Sequence, residues 1–551
     1  MPSLESRVVG PMPFVAAFCR KAGLPHLFDR LLGEDPRCRV PFGTRLLALL
    51  LHILSGRPPL YKVATFFEDT DTGLLLGEGI PHDALHDDSL GRLLDRIHAY
   101  GPARFFQTVA LHCTAGFQIA IDRLHWDSTS ISLTGNHYDV ADDDALQITH
   151  GYSKDHRPDL RQFLYSLLVN REGIPIWAAV KNGNASDKTL NHEVIEEISK
   201  VLRQEELKQI TYVADSACVT RKNLKKFRAQ SLKFLSRVPD TFAEVRRLKE
   251  RAWESGQWKP LGRLSSKKDA AVYRAVEWIG TIDEVAYRFL VVHSDHLDRR
   301  KEQALLRRLA SERADLEQHA QELARETYSC QSDATAARER FLREHPTRYR
   351  LEAKVICEEV EAKRGRGRPR KDEERPQKVR YRVQVEVGDL DEEAVQRERK
   401  RESTFVLITN VGEEELDSRE LLVEYKEQSR VEVRFKFLKD PLFVDAFYLH
   451  KASRVEALAY VLLIALLVYS LIEREARATL EKEGRMIELI GKRKSSRPTG
   501  VSLLEMLVGL SVRRTGYGQR QLVSPAHMIR RAQVVLAAVG LDLRAYQQAP
   551  T

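Results

Sequence analysis

The stretch QITYVADSACVT, residues 209–220, decides the fold, because it has the pattern of a buried β-strand that ends on a charge. Ile210, Tyr212 and Val213 are residue types that favour strands, whereas Asp215 is a type that strand interiors reject. A basic, helix-like stretch, TRKNLKKF, follows it. An aspartate between a strand and a helix lies at the carboxyl edge of a sheet, where α/β proteins bind ligands. A turn or helix-capping role is the simpler interpretation, so partners elsewhere in the chain must decide.

Length, charge and cysteine content limit the class of protein. A chain of 551 residues is expected to hold several domains, because single cores rarely exceed about 250–300 residues. Lys and Arg number 88 and Asp and Glu 79, so the net charge of +9 favours a polyanionic partner and permits nucleic acid. The six cysteines form no CxxC pair, which argues against a disulfide framework or zinc knuckle and for a reducing cytoplasm. The first residues lack an export pattern.

One segment raises the question of a membrane. ALAYVLLIALLVYSLI, residues 457–472, is apolar almost throughout. Its 16 residues fall short of the roughly 20 that a spanning helix needs. We therefore predict a core helix that is buried on all sides, and no membrane partner.

Four regions differ in their sequence patterns. Residues 1–115 carry helix-period apolar patterns and predict a helical domain, with DNA binding as its expected role. Residues 116–240 and 402–480 predict an α/β core, because strands come first and a helix then leads to a further strand. Residues 241–401 predict an inserted α+β module with charged helices, expected to contact DNA rather than to supply catalytic groups. Residues 481–551 predict a helical, basic C-terminal region. The predicted fold class is α/β, a mixed-sheet core interrupted by the insertion and flanked by helical regions.

Two further carboxylates are candidate partners of Asp215. LHWDSTSISLTG places Asp127 on the first strand of the same predicted sheet, and the helix after the insertion carries Glu432. Each alone has an ordinary structural explanation. Together, two strand aspartates and a helical glutamate form the set that two Mg²⁺ ions need, with Mn²⁺ as an expected substitute, because these cations prefer carboxylate oxygen. The implied chemistry is phosphodiester cleavage and transfer.

The helix around Glu432 carries further polar residues. Tyr425, Gln428, Glu432 and Lys439 stand three, four and seven residues apart, a spacing that puts all four on one stripe of a single α-helix. Charged stripes are usually solvated surface. This helix, however, leads into the most apolar segment of the chain, so we expect it to belong to the core.

These residues carry a resemblance to a known family. The chain resembles the DDE transposases of bacterial insertion sequences, in the insertion-sequence-four-like superfamily, whose helix signature is Tyr, two residues, Arg, three residues, Glu, six residues, Lys. Tyr425, Glu432 and Lys439 match that register, and Gln428 stands where the signature has Arg. HWDSTS and YVADSA resemble the two aspartate motifs. THGYSKDHRPDLRQFLYSLLVN, GIPIWAAVKNGNASD and FLSRVP resemble the segments around them.

The resemblance implies a fold and an activity. It implies a ribonuclease-H-like core, interrupted between the second aspartate and the glutamate, with Asp127, Asp215 and Glu432 as catalytic metal ligands. It also implies that Tyr425, Gln428 and Lys439 lie near DNA. The expected partners are double-stranded DNA, both terminal inverted repeats and target, and a second copy of the chain, in the cytoplasm at the nucleoid. Two alternatives stay open: a metal-dependent nuclease that does not join strands, and a catalytically silent DNA-binding relative.

A second candidate DNA-binding feature is KRGRGRPRK, residues 363–371. Its core resembles an AT-hook, in which Arg366, Arg368 and Arg370 on a narrow Gly- and Pro-containing chain enter the minor groove of A·T-rich DNA. A flexible basic linker that binds phosphates without preference explains the same residues. The sequence does not separate the two interpretations.

Overall fold

The computed structural model describes twelve stretches of the chain. They are residues 6–35, 39–55, 62–134, 146–201, 204–265, 267, 269–296, 299–361, 377–440, 449, 451–515 and 519–550. The chain divides into two compact units. The first comprises Met1–Arg237 with Thr409–Thr551, and the second comprises Val238–Ile408.

The N-terminal region of the first unit is helical apart from one short strand. Pro13, Pro25 and Pro102 lie in the first turns of three of its helices, where a missing N–H costs nothing. The elements are β1 (Ser6–Val8), α1 (Met12–Lys21), α2 (Leu24–Leu32), α3 (Phe42–Ser55), α4 (Val63–Glu68), α5 (Thr72–Leu76), α6 (Asp87–Tyr100) and α7 (Pro102–Gly116).

A mixed sheet follows in the same unit. Its elements are β2 (Arg123–Leu133), β3 (Arg161–Asn170), β4 (Pro175–Asn182), α8 (Asp187–Val201), α9 (Gln204–Leu207), β5 (Thr211–Ala214), α10 (Arg221–Ala229) and β6 (Lys233–Arg237). The strand order in this unit is β4-β3-β2-β5-β6. β2, β3 and β4 run antiparallel to one another, whereas β5 pairs in parallel with both β2 and β6. The predicted mixed α/β sheet is thus present.

The second unit combines helices with antiparallel strands. Its strands form a sheet in the order β12-β9-β8-β7 and a separate two-stranded ribbon of β10 and β11. The elements are α11 (Ala243–Ser255), β7 (Lys259–Arg263), β8 (Val272–Ile282), β9 (Val285–Ser294), α12 (Arg299–Arg325), α13 (Gln331–Glu344), β10 (Tyr349–Glu361), β11 (Gln377–Leu390), α14 (Glu392–Glu402) and β12 (Thr404–Thr409).

The chain then returns to the first unit. Its elements are α15 (Ser418–Lys426), α16 (Ser429–Lys439), α17 (Ala452–Lys482), β13 (Ile487–Glu488), β14 (Lys494–Ser495), α18 (Gly500–Glu505), β15 (Ser511–Arg514), β16 (Arg520–Leu522) and α19 (Ala526–Ala538). The C-terminal region is helical, as predicted, but it also contains short strands. β15 pairs with both β1 and β16, so this region completes a small sheet with the start of the chain.

Helix α17 forms the core of the first unit. Its length and composition would allow it to cross a membrane, yet 94% of its most apolar window is buried inside the protein. It contacts helices α3, α6 and α7 and strand β4. The Tyr165 hydroxyl donates to the carbonyl oxygen of Ala459 at 2.9 Å, and the Tyr460 hydroxyl accepts from Val180 N–H at 3.1 Å. The prediction of a buried core helix is confirmed.

Candidate active site

Two neighbouring parallel strands place Asp127 and Asp215 side by side. β2 and β5 pair in parallel, with His125 opposite Val213. Asp127 lies two residues beyond His125, and Asp215 lies two residues beyond Val213, so the continuing register puts both aspartates at the same level. Neighbouring strands lie about 4.8 Å apart. The structure therefore brings these two residues together at the carboxyl edge of β5.

Asp215 also caps a turn. Its Oδ1 accepts a 3.1 Å hydrogen bond from the N–H of Ala217, at the start of a 3₁₀ turn over Ser216–Cys218. Helix α10, which follows, has its own cap, because Thr220 Oγ1 accepts from the N–H of Asn223 at 3.1 Å. The turn-capping interpretation is confirmed for Oδ1. Oδ2 of Asp215 has no hydrogen-bond partner within the described part of the chain.

Burial and the charges of nearby carboxylates perturb the pKa values of both aspartates. Burial raises the pKa of Asp127 to about 6; the Lys154 ammonium and the N–H of Ser128 oppose this rise, and the charges of Asp215 and Asp187 add to it. Burial also raises the pKa of Asp215, where Asp187 adds to the rise and Lys154 opposes it. Carboxylates that repel one another in a partly buried position form the oxygen-rich, negatively charged donor set that hard divalent cations prefer. The residues present therefore fit Mg²⁺ or Mn²⁺.

Sequence reasoning missed three residues of this cluster: Ser128, Lys154 and Asp187. Lys154 Nζ lies 3.6 Å from Asp127 Oδ1 and 3.1 Å from Asp187 Oδ2. The same Nζ donates to the carbonyl oxygen of Ser128 at 2.7 Å and to its Oγ at 2.8 Å. The hydroxyl of Ser128 donates in turn to Asp187 Oδ1. Besides the two strands, the cluster thus contains the start of α8 and a cation of its own.

Only weak signals in the sequence indicate these residues. Asp187 begins a helix, where an acidic residue is expected anyway because it suits the positive end of the helix dipole. Lys154 lies in a stretch without helix or strand, so no periodicity indicates which way its side chain points. Only the resemblance of the segments that carry them, THGYSKD and KNGNASD, marked the neighbourhood of the two aspartates.

The predicted single signature helix is wrong. The structure has two helices, α15 and α16, which end and begin on either side of Glu427 and Gln428. Both linking residues keep helical dihedral angles, but Gln428 N–H bonds to the carbonyl of Tyr425, three residues back, and not four. Tyr425 therefore lies on α15, and Glu432 and Lys439 lie on α16. Asp417 caps the first of them, α15, as part of a capping box.

The flanking signature residues point toward the aspartates. Burial raises the pKa of Tyr425 to about 12; the charge of Arg237 opposes this rise and the charge of Asp215 adds to it. Gln428 Nε2 lies 3.4 Å from the carbonyl oxygen of Trp126, the residue before Asp127. Gln428, standing where the family signature has Arg, thus approaches the backbone of β2.

Lys439 and Glu432 occupy α16, which packs against β2 and β3. Lys439 Nζ donates to Asp155 Oδ1 at 2.6 Å, and Asp155 is the neighbour of Lys154. Glu432 is exposed and makes no hydrogen bond or ion pair with any described residue. The structure therefore places the helix of Glu432 beside the strand of Asp127, but it does not draw the three carboxylates into one contact.

A second acidic group lies elsewhere. Within the described residues, ligand atoms of three His, Cys, Asp or Glu side chains come within 4.8 Å of one another only at His86, Asp87 and Asp88. All three are exposed, and His86 Nδ1 already caps α6 by accepting from Ser89 N–H. This group shares no residue with the predicted triad.

The remaining predicted DNA-binding residues are not placed. Arg366, Arg368 and Arg370 lie outside the described residues. Strand β10 ends before that stretch, and its partner β11 begins after it. The choice between an AT-hook and a flexible basic linker therefore stays open.

A buried ion pair fixes α15 to the strand of Asp127. Glu424 Oε1 lies 2.9 Å from His125 Nε2, and Glu424 Oε2 lies 2.5 Å from Arg123. Burial acts to raise the pKa of Glu424, but His125 and Arg123 outweigh it and hold that pKa below its usual value. Because His125 precedes Asp127 by two residues, this contact sets the position of Tyr425 relative to the aspartates.

Comparisons with known proteins complete the description. No curated protein matches the chain. Among solved structures, the chain is similar to a piggyBac transposase, described as a cryo-EM structure of a synaptic complex with hairpin DNA, at 9% sequence identity. That similarity covers 92% of this chain and 82% of the other, with a TM-score of 0.36, and so low a score supports no argument.

Two family profiles match parts of the sequence. A domain of unknown function (DUF4277) matches residues 4–111, a range that contains helices α1 to α6 and most of α7. The transposase DDE domain matches residues 122–468, a range that contains Asp127, Asp215 and Glu432. Because this second match covers more than half of the chain, the chain belongs to the transposase DDE domain family.

Proposed function

We propose that this transposase binds the terminal inverted repeats of its element, cleaves phosphodiester bonds there and joins the 3′ hydroxyl to target DNA. The observation that carries the proposal is the pair Asp127 and Asp215, side by side on parallel strands within the range matched by the transposase DDE domain. Two partly buried, mutually repelling aspartates suit cation-dependent phosphoryl chemistry better than they suit a silent DNA-binding protein.

The proposed core is ribonuclease-H-like. Its support is the sheet of the first unit, in which three antiparallel strands are followed by two parallel ones in the order β4-β3-β2-β5-β6. In this arrangement the first strand, β2, lies at the centre and carries Asp127, and the adjacent β5 leads to Asp215. The proposed glutamate, Glu432, enters from α16, which packs against β2.

The chain's own residues have distinct proposed roles. Asp127, Asp215 and Glu432 would hold two divalent cations, Mg²⁺ or Mn²⁺. When bound, these ions would supply activation of the attacking oxygen and stabilisation of the leaving oxygen. Tyr425, Gln428 and Lys439 would contact the DNA end beside the carboxylates. We further propose that two copies act on paired ends, in the cytoplasm at the nucleoid.

A joining assay tests this function. Purified protein is incubated in Mg²⁺ with a labelled duplex that carries the element end and an unlabelled target duplex, and the products are separated on a denaturing gel. We expect nicked strands and longer, joined strands. Nicked strands without any joined product would identify a nuclease, and neither product from DNA that the protein binds would contradict the proposal.

Lys439 offers a separate prediction. Its ammonium lies on α16 beside the aspartate cluster and is paired with Asp155, so it can exchange that carboxylate for a phosphate oxygen. We expect Lys439→Ala to weaken binding of the element end and strand cleavage together, and to lower the salt slope of binding by about one unit. Fluorescence anisotropy at several salt concentrations measures both quantities.

Lys436 provides the matched control. Lys436 lies on the same helix, three residues before Lys439, and is exposed. Unlike Lys439, it makes no contact with Asp155. Lys436→Ala should bind and cleave as the unmodified protein does. Equal losses from both substitutions would show that α16 contributes only general positive charge.

A further inference from the structure

The ammonium group of Lys154 lies within a shell of oxygen atoms. Ser128 O, Ser128 Oγ and Asp187 Oδ2 lie 2.7, 2.8 and 3.1 Å from it, and Asp127 Oδ1 lies 3.6 Å away. An ammonium has three N–H donors, so the three nearest oxygens use all of them. The distance to Asp127 exceeds hydrogen-bond length. Lys154 therefore holds Asp187 by hydrogen bonding and Asp127 by charge alone.

The shell closes on itself. Lys154 donates to Ser128 Oγ, and this hydroxyl donates its own proton to Asp187 Oδ1, while Asp187 Oδ2 faces the ammonium directly. Both oxygens of Asp187 are thereby engaged. Asp127 keeps Oδ2 without a partner among the described residues, and its Oδ1 accepts only the N–H of Ser128 at 2.7 Å.

The backbone around Lys154 is also anchored. Its N–H donates to Ser130 Oγ at 3.1 Å, which ties it to β2. The next residue, Asp155, accepts from Lys439 at 2.6 Å. The pair Lys154 and Asp155 thus bridges the strand of Asp127 and the helix of Glu432. The backbone that carries Lys154 is therefore fixed beside the carboxylates.

We propose that Lys154 is a positioning residue that acts as a built-in cation: it holds Asp127 and Asp187 together and competes with divalent cations for them. Asp187 is a fourth carboxylate of the site and retains Lys154 when a divalent cation binds Asp127. Because Lys154 would act on the proposed metal site, this inference rests on the function proposed above. It adds a residue pair that controls cation affinity separately from the residues that hold the metal.

Metal binding without DNA tests the inference. Lys154→Met keeps the length of the side chain and removes its charge. Since a positive charge 3.6 Å from Asp127 opposes a second cation there, we expect Lys154→Met to bind Mn²⁺ at least about tenfold more tightly than the unmodified protein. Lys154→Arg restores the charge and should return the affinity close to the original value. Isothermal titration calorimetry, or the signal of free Mn²⁺ in electron paramagnetic resonance, measures these affinities.

A matched lysine controls for general charge effects. Lys233 is similarly exposed, forms a 2.6 Å ion pair with Glu415, and begins β6 opposite Thr211, at the end of the sheet away from Asp215. Lys233→Met should leave Mn²⁺ affinity unchanged. An equal tightening in this variant would mean that any lost lysine raises the affinity, which would overturn the inference.

The outcomes separate the inference from the proposed function. If the unmodified protein binds no Mn²⁺ at the site, the proposed function itself fails. If it binds Mn²⁺ and Lys154→Met binds no more tightly, only the role of Lys154 fails. Should Lys154→Met not fold in the absence of divalent cations, its thermal unfolding is followed during Mn²⁺ addition: recovery supports the replacement of one cation by another, and no recovery overturns it.

Discussion

Asp215→Asn is expected to abolish strand nicking while leaving DNA binding intact. Asparagine keeps nearly the same shape, and its amide oxygen can still accept the hydrogen bond from Ala217 that caps the 3₁₀ turn. The substitution therefore removes the charge without removing the cap, and it separates the two interpretations of Asp215. We expect nicking to fall at least about a thousandfold, as for other residues that act as a catalytic unit.

The assay pairs nicking with binding. Nicking of end-containing duplex in Mg²⁺ is followed on a denaturing gel, and affinity is followed in a gel shift, because affinity should come mainly from basic residues elsewhere. Asp122→Asn is the control: this aspartate stands just before β2, at the opposite end from Asp127, and pairs with Arg171 at 3.4 Å. A near-normal nicking rate for Asp215→Asn would make Asp215 a turn residue only.

The other two carboxylates should behave alike. Asp127→Asn and Glu432→Gln are expected to lose nicking to a similar degree, and the double change at Asp127 and Asp215 should be hardly worse than either single one. The Glu432 substitution tests the assignment most severely, because its carboxylate is open to solvent and unpaired among the described residues. A Glu432→Gln protein that nicks normally would restrict the site to the strand aspartates.

The place of Asp127 and of Asp215 on or beside a strand could be predicted from sequence because it depends on local patterns. Each aspartate interrupts a stretch of strand-forming residues, and parallel strands bring their carboxyl ends to one edge of a sheet. The direction of each strand and the position of each charge follow from alternation and from the helix that comes next. That the two strands are neighbours is a long-range contact, and it was indicated by the resemblance to the DDE transposases and not by these local patterns.

Lys154 and Asp187 could not be predicted in the same way. Asp187 lies 60 residues from Asp127 and follows two further strands, so its position depends on the register of β3 and β4. Lys154 lies in irregular backbone, which has no period from which a direction could be derived. Contacts of this kind are set by tertiary packing.

The division of the signature helix has a similar cause. Residues 418–439 contain neither glycine nor proline, so their sequence predicts one helix. In the structure, the N–H of Gln428 instead bonds to the carbonyl oxygen three residues back, which interrupts the α-helical pattern. Glu424 fixes α15 to His125 and Arg123, whereas α16 is fixed to other partners. A single straight helix with 3.6 residues per turn need not place both sets of side chains against their partners, so the chain changes its hydrogen-bond pattern between them.

The anchor of α16 is a buried ion pair. Arg434 and Glu473 are each almost completely buried, and Arg434 Nη2 lies 3.0 Å from Glu473 Oε1. Arg434 Nε donates to the carbonyl of Gly173 at 2.7 Å. Glu473 also pairs with Arg477 at 2.7 Å and accepts from Gly500 N–H at 3.0 Å. Glu473 on α17 therefore lies between two arginines, and it ties the helix of Glu432 to the core.

Removal of that carboxylate should be costly. Glu473→Gln leaves both arginines in place without a counter-charge, and breaking a buried pair from one side typically costs about 3–5 kcal/mol. Arg434→Met should cost less, because Glu473 keeps Arg477 as a partner. The double variant should be destabilised by less than the sum of the two single variants. It removes both charges of the pair, so that neither Arg434 nor Glu473 is left buried without the other.

Urea unfolding measures the free energy of unfolding of these variants. It is followed by the fluorescence of Trp126 and Trp177 in the first unit, in proteins from which the other three tryptophans have been removed. Glu193→Gln is the control, because Glu193 forms a partly exposed pair with Lys181 at 2.8 Å, and such pairs contribute about 0–1 kcal/mol. Loss of the anchor should also displace α16 and reduce nicking under conditions where the protein is still folded. If Glu473→Gln is as mild as Glu193→Gln, this ion pair does not hold the signature helix, and the packing of α16 against β2 and β3 must hold Glu432 in place alone.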